Sequence, residues 1–346
     1  MIRSALSAGL LAAVAVLQAG VELEDRMNRS VPAKAGGKLT VDAEYGSIEV
    51  LPGPGDKVEV EVSRKVEGRD RTESERILKD FDLQVTQTGN DVTVRGVFKT
   101  GWVARSQVSG RRQHCRDGRC LEYAEFLRTH HYKILTPREF NADLSTHGGS
   151  VSVGDLKGSV RGKTGGGSLR FGKVDGPVWG RTSGGSIRLE GGAGTADVRT
   201  SGGSIHIGDV SGDVEAHTSG GSIHIERASG RVTAKTSGGS IEVKESVGAI
   251  DASTSGGSVR AYLREKPKGP SKLETSGGSI TVQLAPSAGV DVDASASGGR
   301  VHSEFGEPQP ESRRDVLRTS INGVGPALRL HTSGGNIHIR KAGGKV

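Results

Sequence analysis

The chain has few aromatic residues, few cysteines and no long apolar segment. Of its 346 residues only 3% are aromatic and two are cysteines, whereas 54 are glycine. This much glycine excludes a mainly helical fold, because glycine destabilises helix interiors. Glycine does not recur at every third residue, which excludes collagen, and no apolar run is long enough to span a bilayer. The composition predicts a thin, aliphatic core.

A short motif returns at a fixed interval through most of the chain. The motif T-x-G-G-S, or a degenerate form of it, begins every 18 residues and later at steps of 21 and 36 residues, at Thr146, Thr164, Thr182, Thr200, Thr218, Thr236, Thr254, Thr275, Ala296 and Thr332. Each unit contains two short runs of alternating apolar and polar residues, which is the pattern of a strand buried on one face. Glycines separate the runs at corners, where we expect a positive φ.

Units of this kind bury their apolar faces only by stacking on one another. The sequence therefore predicts an all-β fold: a parallel β-solenoid, or β-helix, of about ten two-strand coils with 18–21 residues each. A core this narrow has no room for an interior substrate cavity. The side chains expected to fill it are Ile187, Ile205, Ile207, Ile223, Ile225, Ile241 and Val243.

The first twenty residues, "MIRSALSAGLLAAVAVLQAG", have the composition of a secretory signal peptide. Arg3 precedes an apolar run, residues 5–17, that is too short for a transmembrane helix. We expect residues 1–20 to be a signal peptide that is cleaved near Ala19 or Gly20. A first buried strand and an uncleaved N-terminal anchor are the alternatives.

The mature chain is expected to have two parts. Residues 21–140 are predicted to form a small N-terminal cap region with a first coil, one helix at 69–82 and a hairpin that turns at Gly89 and Asn90. Residues 141–346 are predicted to form the repeat solenoid. Its last unit, "TSGGNIHIRKAGGKV", lacks a second strand and is expected to cap the end of the stack.

The cap region contains an insertion with both cysteines, in the stretch "HCRDGRC". An even pair separated by a short loop with a central Asp-Gly turn predicts a disulfide between Cys115 and Cys120 in an oxidising compartment. The alternative is a zinc site that also uses His114, His130 and His131. A zinc site would require a second ligand pair at a defined spacing, which the sequence does not supply clearly.

The same insertion concentrates positive charge. Residues 99–138 contain nine Lys or Arg against three acids, a net charge of +6, close to the formal +7 of the whole chain. Grouped arginines suit phosphate or carboxylate recognition. We expect an anionic envelope polymer or an acidic protein as the partner, with a solvated loop as the alternative. Nucleic acid is not expected, because export and scarce aromatics argue against it. The candidate binding residues are Arg111, Arg112, Arg116 and Arg119.

No constellation of catalytic residues is found. The acids are scattered, there is no repeated Asp for a calcium array, and the hydroxyls of the Thr column are predicted to bond to the corner backbone rather than to ice. His206 and His224 occupy the same position in successive units, but Arg188 and Glu242 share that position, so an exposed variable column is favoured over metal ligands. The chain is therefore expected to have no catalytic residue, metal site or cofactor.

Taken together, these features resemble a bacterial adhesin-like family of β-strand repeats, DUF4097. The resemblance is carried by the signal-like start, the first coil at "YGSIEV", the "YKILTP" strand and the tandem "TSGGSI" coils, and it covers most of residues 36–346. It implies an exported solenoid in the periplasm, cell envelope or cell surface of a bacterium, and it transfers no chemistry. The cysteine-bearing insertion is not expected of the family in general.

We therefore expect a non-enzymatic binding scaffold of the cell envelope. Two alternatives remain at this stage. One is an enzyme that acts on an envelope polysaccharide with residues from the proline-bearing excursions at 264–272 and 304–314. The other is an accessory protein in envelope-stress sensing. The sequence does not define the oligomeric state.

Overall fold

The computed structural model describes residues 21–68, 70–79, 81–98, 103–108, 111–116, 119–122, 130–305 and 315–342. The predicted signal peptide and most of the excursion at 304–314 lie outside these ranges. The described chain is all-β apart from one short helix, and it forms two sheets of 14 strands and a third sheet of three strands.

The first sheet contains mainly the strand that follows each Gly-Gly corner. Its members, in chain order, are β1 (Val21–Pro32), β3 (Ser47–Pro52), β4 (Lys57–Gly68), β10 (His130–Thr136), β12 (Val151–Val153), β14 (Leu169–Val174), β16 (Ile187–Gly192), β18 (Ile205–Val210), β20 (Ile223–Ala228), β22 (Ile241–Ser246), β24 (Val259–Leu263), β26 (Ile280–Leu284), β28 (Val301–Ser303) and β31 (Ile337–Lys341).

The second sheet contains mainly the other strand of each unit. Its members are β2 (Lys38–Ala43), β5 (Phe81–Thr88), β6 (Asp91–Phe98), β11 (Asn141–Thr146), β13 (Val160–Thr164), β15 (Val178–Arg181), β17 (Ala196–Arg199), β19 (Val214–His217), β21 (Val232–Lys235), β23 (Ile250–Thr254), β25 (Ser271–Thr275), β27 (Val290–Ala296), β29 (Val316–Ile321) and β30 (Ala327–Thr332). The third sheet contains β7 (Val103–Val108), β8 (Arg111–Arg116) and β9 (Arg119–Glu122).

Successive repeat units pair in parallel, with identical positions opposite each other. Ile205 pairs with Ile223, and the neighbouring His206 pairs with His224. The isoleucines are 1% exposed, whereas both histidines lie on the outer face and are partly exposed. The seven side chains expected in the core are all at most 1% exposed. Aliphatic side chains from both sheets therefore fill a continuous core.

The Thr side chains at the corners form hydrogen bonds to the corner backbone from inside the fold. The Thr218 hydroxyl donates a hydrogen bond to the carbonyl oxygen of Gly203 at 2.8 Å, and it accepts one from the backbone N–H of Gly221 at 3.4 Å. Seven other repeats make the same pair of bonds, and their Thr side chains are buried: Thr164, Thr182, Thr200, Thr236, Thr254, Thr275 and Thr332. The prediction that these hydroxyls bond to the corner backbone is confirmed.

The explanation expected for the corner glycines was wrong. None of the Gly-Gly corners in the 18-residue repeats has a positive φ. The second glycine is required instead by close stacking, because a Cβ at Gly221 would lie 2.1 Å from the carbonyl oxygen of Gly203 in the preceding coil. A side chain at this position would therefore push adjacent coils apart.

The N-terminal cap covers one end of both sheets. The first coil, β2 and β3, stacks in parallel on β11 and β12. Beyond it, β5 and β6 form the predicted antiparallel hairpin, with Gly89 in the left-handed region at φ +60°. The stretch 69–82 contains the helix α1 (Arg71–Lys79). The long strand β1 pairs antiparallel with β4 and forms the edge of the first sheet.

The C-terminal end corrects another expectation. The last unit of the chain does not cap the stack, because β30 lies between β25 and β27 while β31 lies between β26 and β28. The earlier unit, β27 with β28, is therefore outermost in space. The strand β29 then covers β27 in antiparallel orientation.

Candidate functional site

The basic insertion forms the small third sheet. Arg111, Arg112 and Arg116 belong to β8, and Arg119 begins β9. The antiparallel register makes Arg116 the direct partner of Arg119, and it makes Cys115 the partner of Cys120. The backbone thus brings all four predicted arginines onto two adjacent strands.

The two histidines considered as zinc ligands after the insertion, His130 and His131, have contacts in the two large sheets. The His131 Nε2 atom lies 3.5 Å from a carboxylate oxygen of Glu49. His130 is buried, and its ring is 4.8 Å from the ring of Phe81. Both residues open β10 in the first sheet, whereas the cysteines belong to the third sheet.

The outer face of the second sheet has a ladder of paired charges. Arg181 bonds to Asp197 at 2.5 Å, and Arg199 pairs with Glu215 on the next strand. Burial pushes the pKa of Asp197 upward, but the hydrogen bond and charge of Arg181, with Arg199, hold it below its usual range. The positive charges of Arg181 and Arg199 are therefore each balanced by a carboxylate on the same face.

An aromatic residue interrupts this ladder. The Trp179 ring has the guanidinium carbons of Arg161 and Arg181 at 4.4 and 4.5 Å from its centroid. Cation–π contacts of this kind stabilise a partly exposed indole on a charged face. They also hold the two arginines close to the sheet.

The outer face of the first sheet carries a denser polar cluster, around His206 and His224. Their rings are stacked with centroids 4.9 Å apart and planes 10° apart. The His224 Nε2 atom lies 2.7 Å from a Glu226 oxygen, and its Nδ1 atom lies 2.9 Å from a Glu242 oxygen. Partial burial, followed by the charge of Arg188, lowers the pKa of His206. Hydrogen bonds from His224 and Lys244 lower the pKa of Glu226.

The sequence identifies His206 and His224 as a stacked pair and favours an exposed variable column, but it does not single out Glu226 as a third member of the cluster. Among the described residues, His206, His224 and Glu226 are the group of three whose potential ligand atoms all lie within 4.8 Å of one another. The signal in the sequence was the stretch "IHIE", which puts Glu226 two residues after His224 on the same face of a strand.

A second stacked histidine pair lies further along the same sheet. The rings of His302 and His338 are 5.2 Å apart, with 9° between their planes. Partial burial, followed by the charges of His302 and Arg340, lowers the pKa of His338. The neighbouring Glu304 carboxylate accepts a hydrogen bond from the backbone N–H of Lys341 at 2.8 Å.

Within the described part of the chain, no helix has the length and apolar character needed to cross a bilayer. No curated protein matches the chain.

Three solved structures resemble the chain over most of its length. A "putative cell adhesion protein" from Clostridium sporogenes is 10% identical and has a TM-score of 0.22, with 92% of this chain and 100% of that chain covered. A "putative adhesin" from Bacteroides fragilis is 12% identical with a TM-score of 0.30, and the coverage is 91% and 97%. A "putative lipid binding protein" from Parabacteroides distasonis is 13% identical with a TM-score of 0.33, and the coverage is 91% and 96%. At these identities and TM-scores the likenesses support no inference about ligands.

The family model Toastrack DUF4097 matches residues 138–340, which is more than half of the chain and contains the regular coils. The stacked coils and the buried Thr-Gly corners occupy this range. The resemblance seen in the sequence is thereby confirmed: the chain belongs to the Toastrack DUF4097 family.

Proposed function

We propose that this protein is an exported, non-enzymatic scaffold of the bacterial envelope or cell surface that binds an anionic partner through its basic insertion. The partner chemistry that fits is a phosphate- or carboxylate-bearing envelope polymer or lipid headgroup. An acidic protein would present the same carboxylate chemistry. Export is supported by the signal-like composition of residues 1–20.

The observation that carries this proposal is the register of β8 and β9. Arg116 stands directly opposite Arg119, with Arg112 and Arg111 on the same two-stranded segment. Like charges at paired positions of a sheet are unfavourable. An anionic ligand would offset this repulsion, and arginine can bind phosphate or carboxylate through two parallel hydrogen bonds.

The charges on the solenoid surface support the insertion as the anion-binding segment. On the solenoid, Arg181, Arg199 and Arg227 are each paired with a carboxylate. Residues 99–138, which include the insertion, contain nine basic residues and only three acids. Binding groups also tend to lie on segments that a rigid scaffold positions.

The test is sedimentation of the protein with vesicles of phosphatidylglycerol, with phosphatidylcholine vesicles as the neutral reference. We expect binding to the anionic vesicles that weakens as salt is raised, because screening shortens the range of charge attraction. Replacing Arg111, Arg112, Arg116 and Arg119 by Ala should abolish most of this binding. An acidic polymer such as polygalacturonate, used as a competitor, separates carboxylate from lipid recognition.

The matched control removes four positive charges from the solenoid instead. These arginines are exposed and form no ion pair with another described residue: Arg170, Arg260, Arg300 and Arg329. The control variant should retain the binding that the insertion variant loses. Equal losses in both variants would mean that only net charge matters, and binding that ignores both salt and the insertion arginines would refute the proposal.

A further inference from the structure

We propose that His206, His224 and Glu226 form a binding site for a divalent transition-metal ion of the Zn²⁺ class on the outer face of the first sheet. The site lies on β18 and β20, in the regular part of the solenoid. It is separate from the basic insertion in both sequence and sheet, so it does not depend on the function proposed above.

The repeat itself creates the site. His206 and His224 are register partners on adjacent parallel strands, which fixes their rings one above the other on the outer face. Glu226 lies two residues after His224 and shares that face. The potential ligand atoms of the three residues lie within 4.8 Å of one another. Bonds of about 2.1 Å to a tetrahedral ion require ligand atoms roughly 3.4 Å apart, which side-chain rotation can provide.

A second feature resembles the surroundings of a metal ligand. The Nδ1 atom of His224 lies 2.9 Å from a carboxylate oxygen of Glu242, on β22. Histidines that bind a metal through one ring nitrogen usually donate the other N–H to a carboxylate, which orients the ring and raises its basicity. Here the Nε2 atom of His224 is hydrogen-bonded to Glu226, while Nδ1 lies close to the carboxylate of Glu242. Glu242 is thus near enough to Nδ1 to orient the ring for coordination through Nε2.

The donor set selects the class of ion. Two imidazole nitrogens and one carboxylate oxygen suit Zn²⁺, Cu²⁺ or Ni²⁺. Ca²⁺ and Mg²⁺ prefer a shell of oxygen ligands. Three protein ligands leave a fourth tetrahedral position for water or another donor.

The local charges also favour a cation. The outer face around the histidines carries the carboxylates of Glu190, Glu226 and Glu242, against the positive groups of Arg188 and Lys244. The Lys244 Nζ atom lies 3.0 Å from the same Glu226 oxygen that faces His224. A bound ion would take the place of these two hydrogen bonds, with any proton on Nε2 released to solvent.

The pair His302 and His338 supplies a natural comparison. It is stacked almost identically, with centroids 5.2 Å apart. The acid that follows, Glu304, is bonded to the backbone of Lys341, and the pair is not part of a three-residue group in the described structure. Both places have stacked histidines. The feature that distinguishes the proposed metal site is therefore its third ligand, Glu226.

The experiment is titration of the protein, purified without a polyhistidine tag, with Zn²⁺ by calorimetry and with Co²⁺ by visible absorption. We expect one site per chain, with a Co²⁺ spectrum typical of low coordination number. His206→Ala, His224→Ala and Glu226→Gln should each weaken binding about tenfold or more. His302→Ala and His338→Ala are the matched controls and should leave the affinity unchanged.

Circular dichroism and thermal unfolding of each variant verify that the solenoid remains folded, which we expect because these side chains are on the outer face. Absence of stoichiometric Zn²⁺ or Co²⁺ binding would overturn the proposal. So would binding that survives both His206→Ala and His224→Ala, or binding that is lost equally in the His302 and His338 controls.

Discussion

Gly166 and Gly167 stand next to each other in one corner, yet the structure makes different demands on them. A Cβ at Gly167 would lie 2.2 Å from the carbonyl oxygen of Gly149 and 2.6 Å from the amide nitrogen of Ser150. A Cβ at Gly166 would find its nearest neighbour, the carbonyl oxygen of Gly148, at 3.9 Å. Both clashing atoms at Gly167 are backbone, so they cannot move without separating two coils.

This contrast predicts different effects of the same substitution at the two positions. Gly167→Ala should lower the free energy of unfolding by about 1–3 kcal/mol, the usual cost of overpacking. Gly166→Ala should be neutral, or stabilising by up to about 1 kcal/mol through the unfolded chain. Urea denaturation followed by circular dichroism measures both. Equal destabilisation by the two variants would mean that stacking does not explain the second glycine.

At the same scale, His338 gives a pH dependence with a defined sign. Partial burial, followed by the charges of His302 and Arg340, lowers the pKa of His338. An unfolded histidine has a pKa of about 6.5, so below that pH the unfolded chain binds a proton that the folded chain resists. Stability should therefore fall as the pH falls from about 6.5 towards the lowered pKa, and be restored above about 6.5.

His338→Gln removes the titrating group while keeping a polar side chain. Thermal melts between neutral pH and the acid side of histidine titration should show a smaller loss of stability in the variant than in the unmodified protein. The neighbouring carboxylate, Glu304, is bonded to backbone and is present in both proteins. Parallel pH profiles would show that His338 does not contribute.

At the scale of elements, alternation and turn chemistry predicted most of the coil. The apolar positions of the repeated "SIHI" identified Ile205 and Ile223 as inward-facing and their neighbouring histidines as outward-facing, as the structure shows. Period-two alternation specifies which residues share a face. It does not specify how far a side chain reaches along that face, which is why the approach of Glu226 to His224 could not be predicted from the pattern.

The corner glycines show the same limit. A Gly-Gly pair between two strands predicts a turn, and the turn exists, but the sequence cannot separate a positive φ from a close approach of another backbone. The distinction depends on the neighbouring coil. A Cβ at Gly221 would lie 2.1 Å from the carbonyl oxygen of Gly203, and this proximity arises only when the coils are stacked. The hairpin at Gly89 has no such neighbour, and there the positive φ is observed.

The strands β8 and β9 carry the element-scale prediction. Their register makes Cys115 and Cys120 cross-strand partners. Partners in an antiparallel pair have Cα atoms about 4.5–5.5 Å apart, within the range that a disulfide spans. In protein isolated from an oxidising compartment, thiol labelling under denaturing conditions should detect no cysteine before reduction and two afterwards. Two thiols detected before reduction, together with zinc binding that is lost when Cys115 and Cys120 are replaced by Ser, would favour the metal alternative instead.

At the scale of the whole molecule, the order of coils in space departs from their order in the chain. The corners present a similar Thr-Gly motif, with Ala in place of Thr at Ala296, so the last unit fits on the coil of Thr275 at least as well as the unit at Ala296 would. The structure puts Thr332 on that coil, where its hydroxyl donates to the carbonyl oxygen of Gly278 at 2.8 Å. A repeat pattern defines which positions stack but not which copy stacks on which, because the copies are chemically similar.

This order predicts which engineered cysteines can be joined. Lys272 on β25 is the register partner of Arg329 on β30, and Arg329 is in turn the partner of Asp293 on β27. All three side chains are exposed. Adjacent coils are about 4.8 Å apart, within the span of a disulfide, whereas Lys272 and Asp293 are two coils, or roughly 9.6 Å, apart and exceed it.

In a background in which Cys115 and Cys120 are replaced by Ser, the double variant Lys272→Cys and Arg329→Cys should therefore oxidise to an intramolecular disulfide. The double variant Lys272→Cys and Asp293→Cys should not. Non-reducing peptide mapping by mass spectrometry distinguishes them, and the pair Asp293→Cys with Arg329→Cys serves as a second positive control. If the coils stacked in chain order, β27 would lie directly on β25, and the cysteines at 272 and 293 would cross-link while those at 272 and 329 remained free.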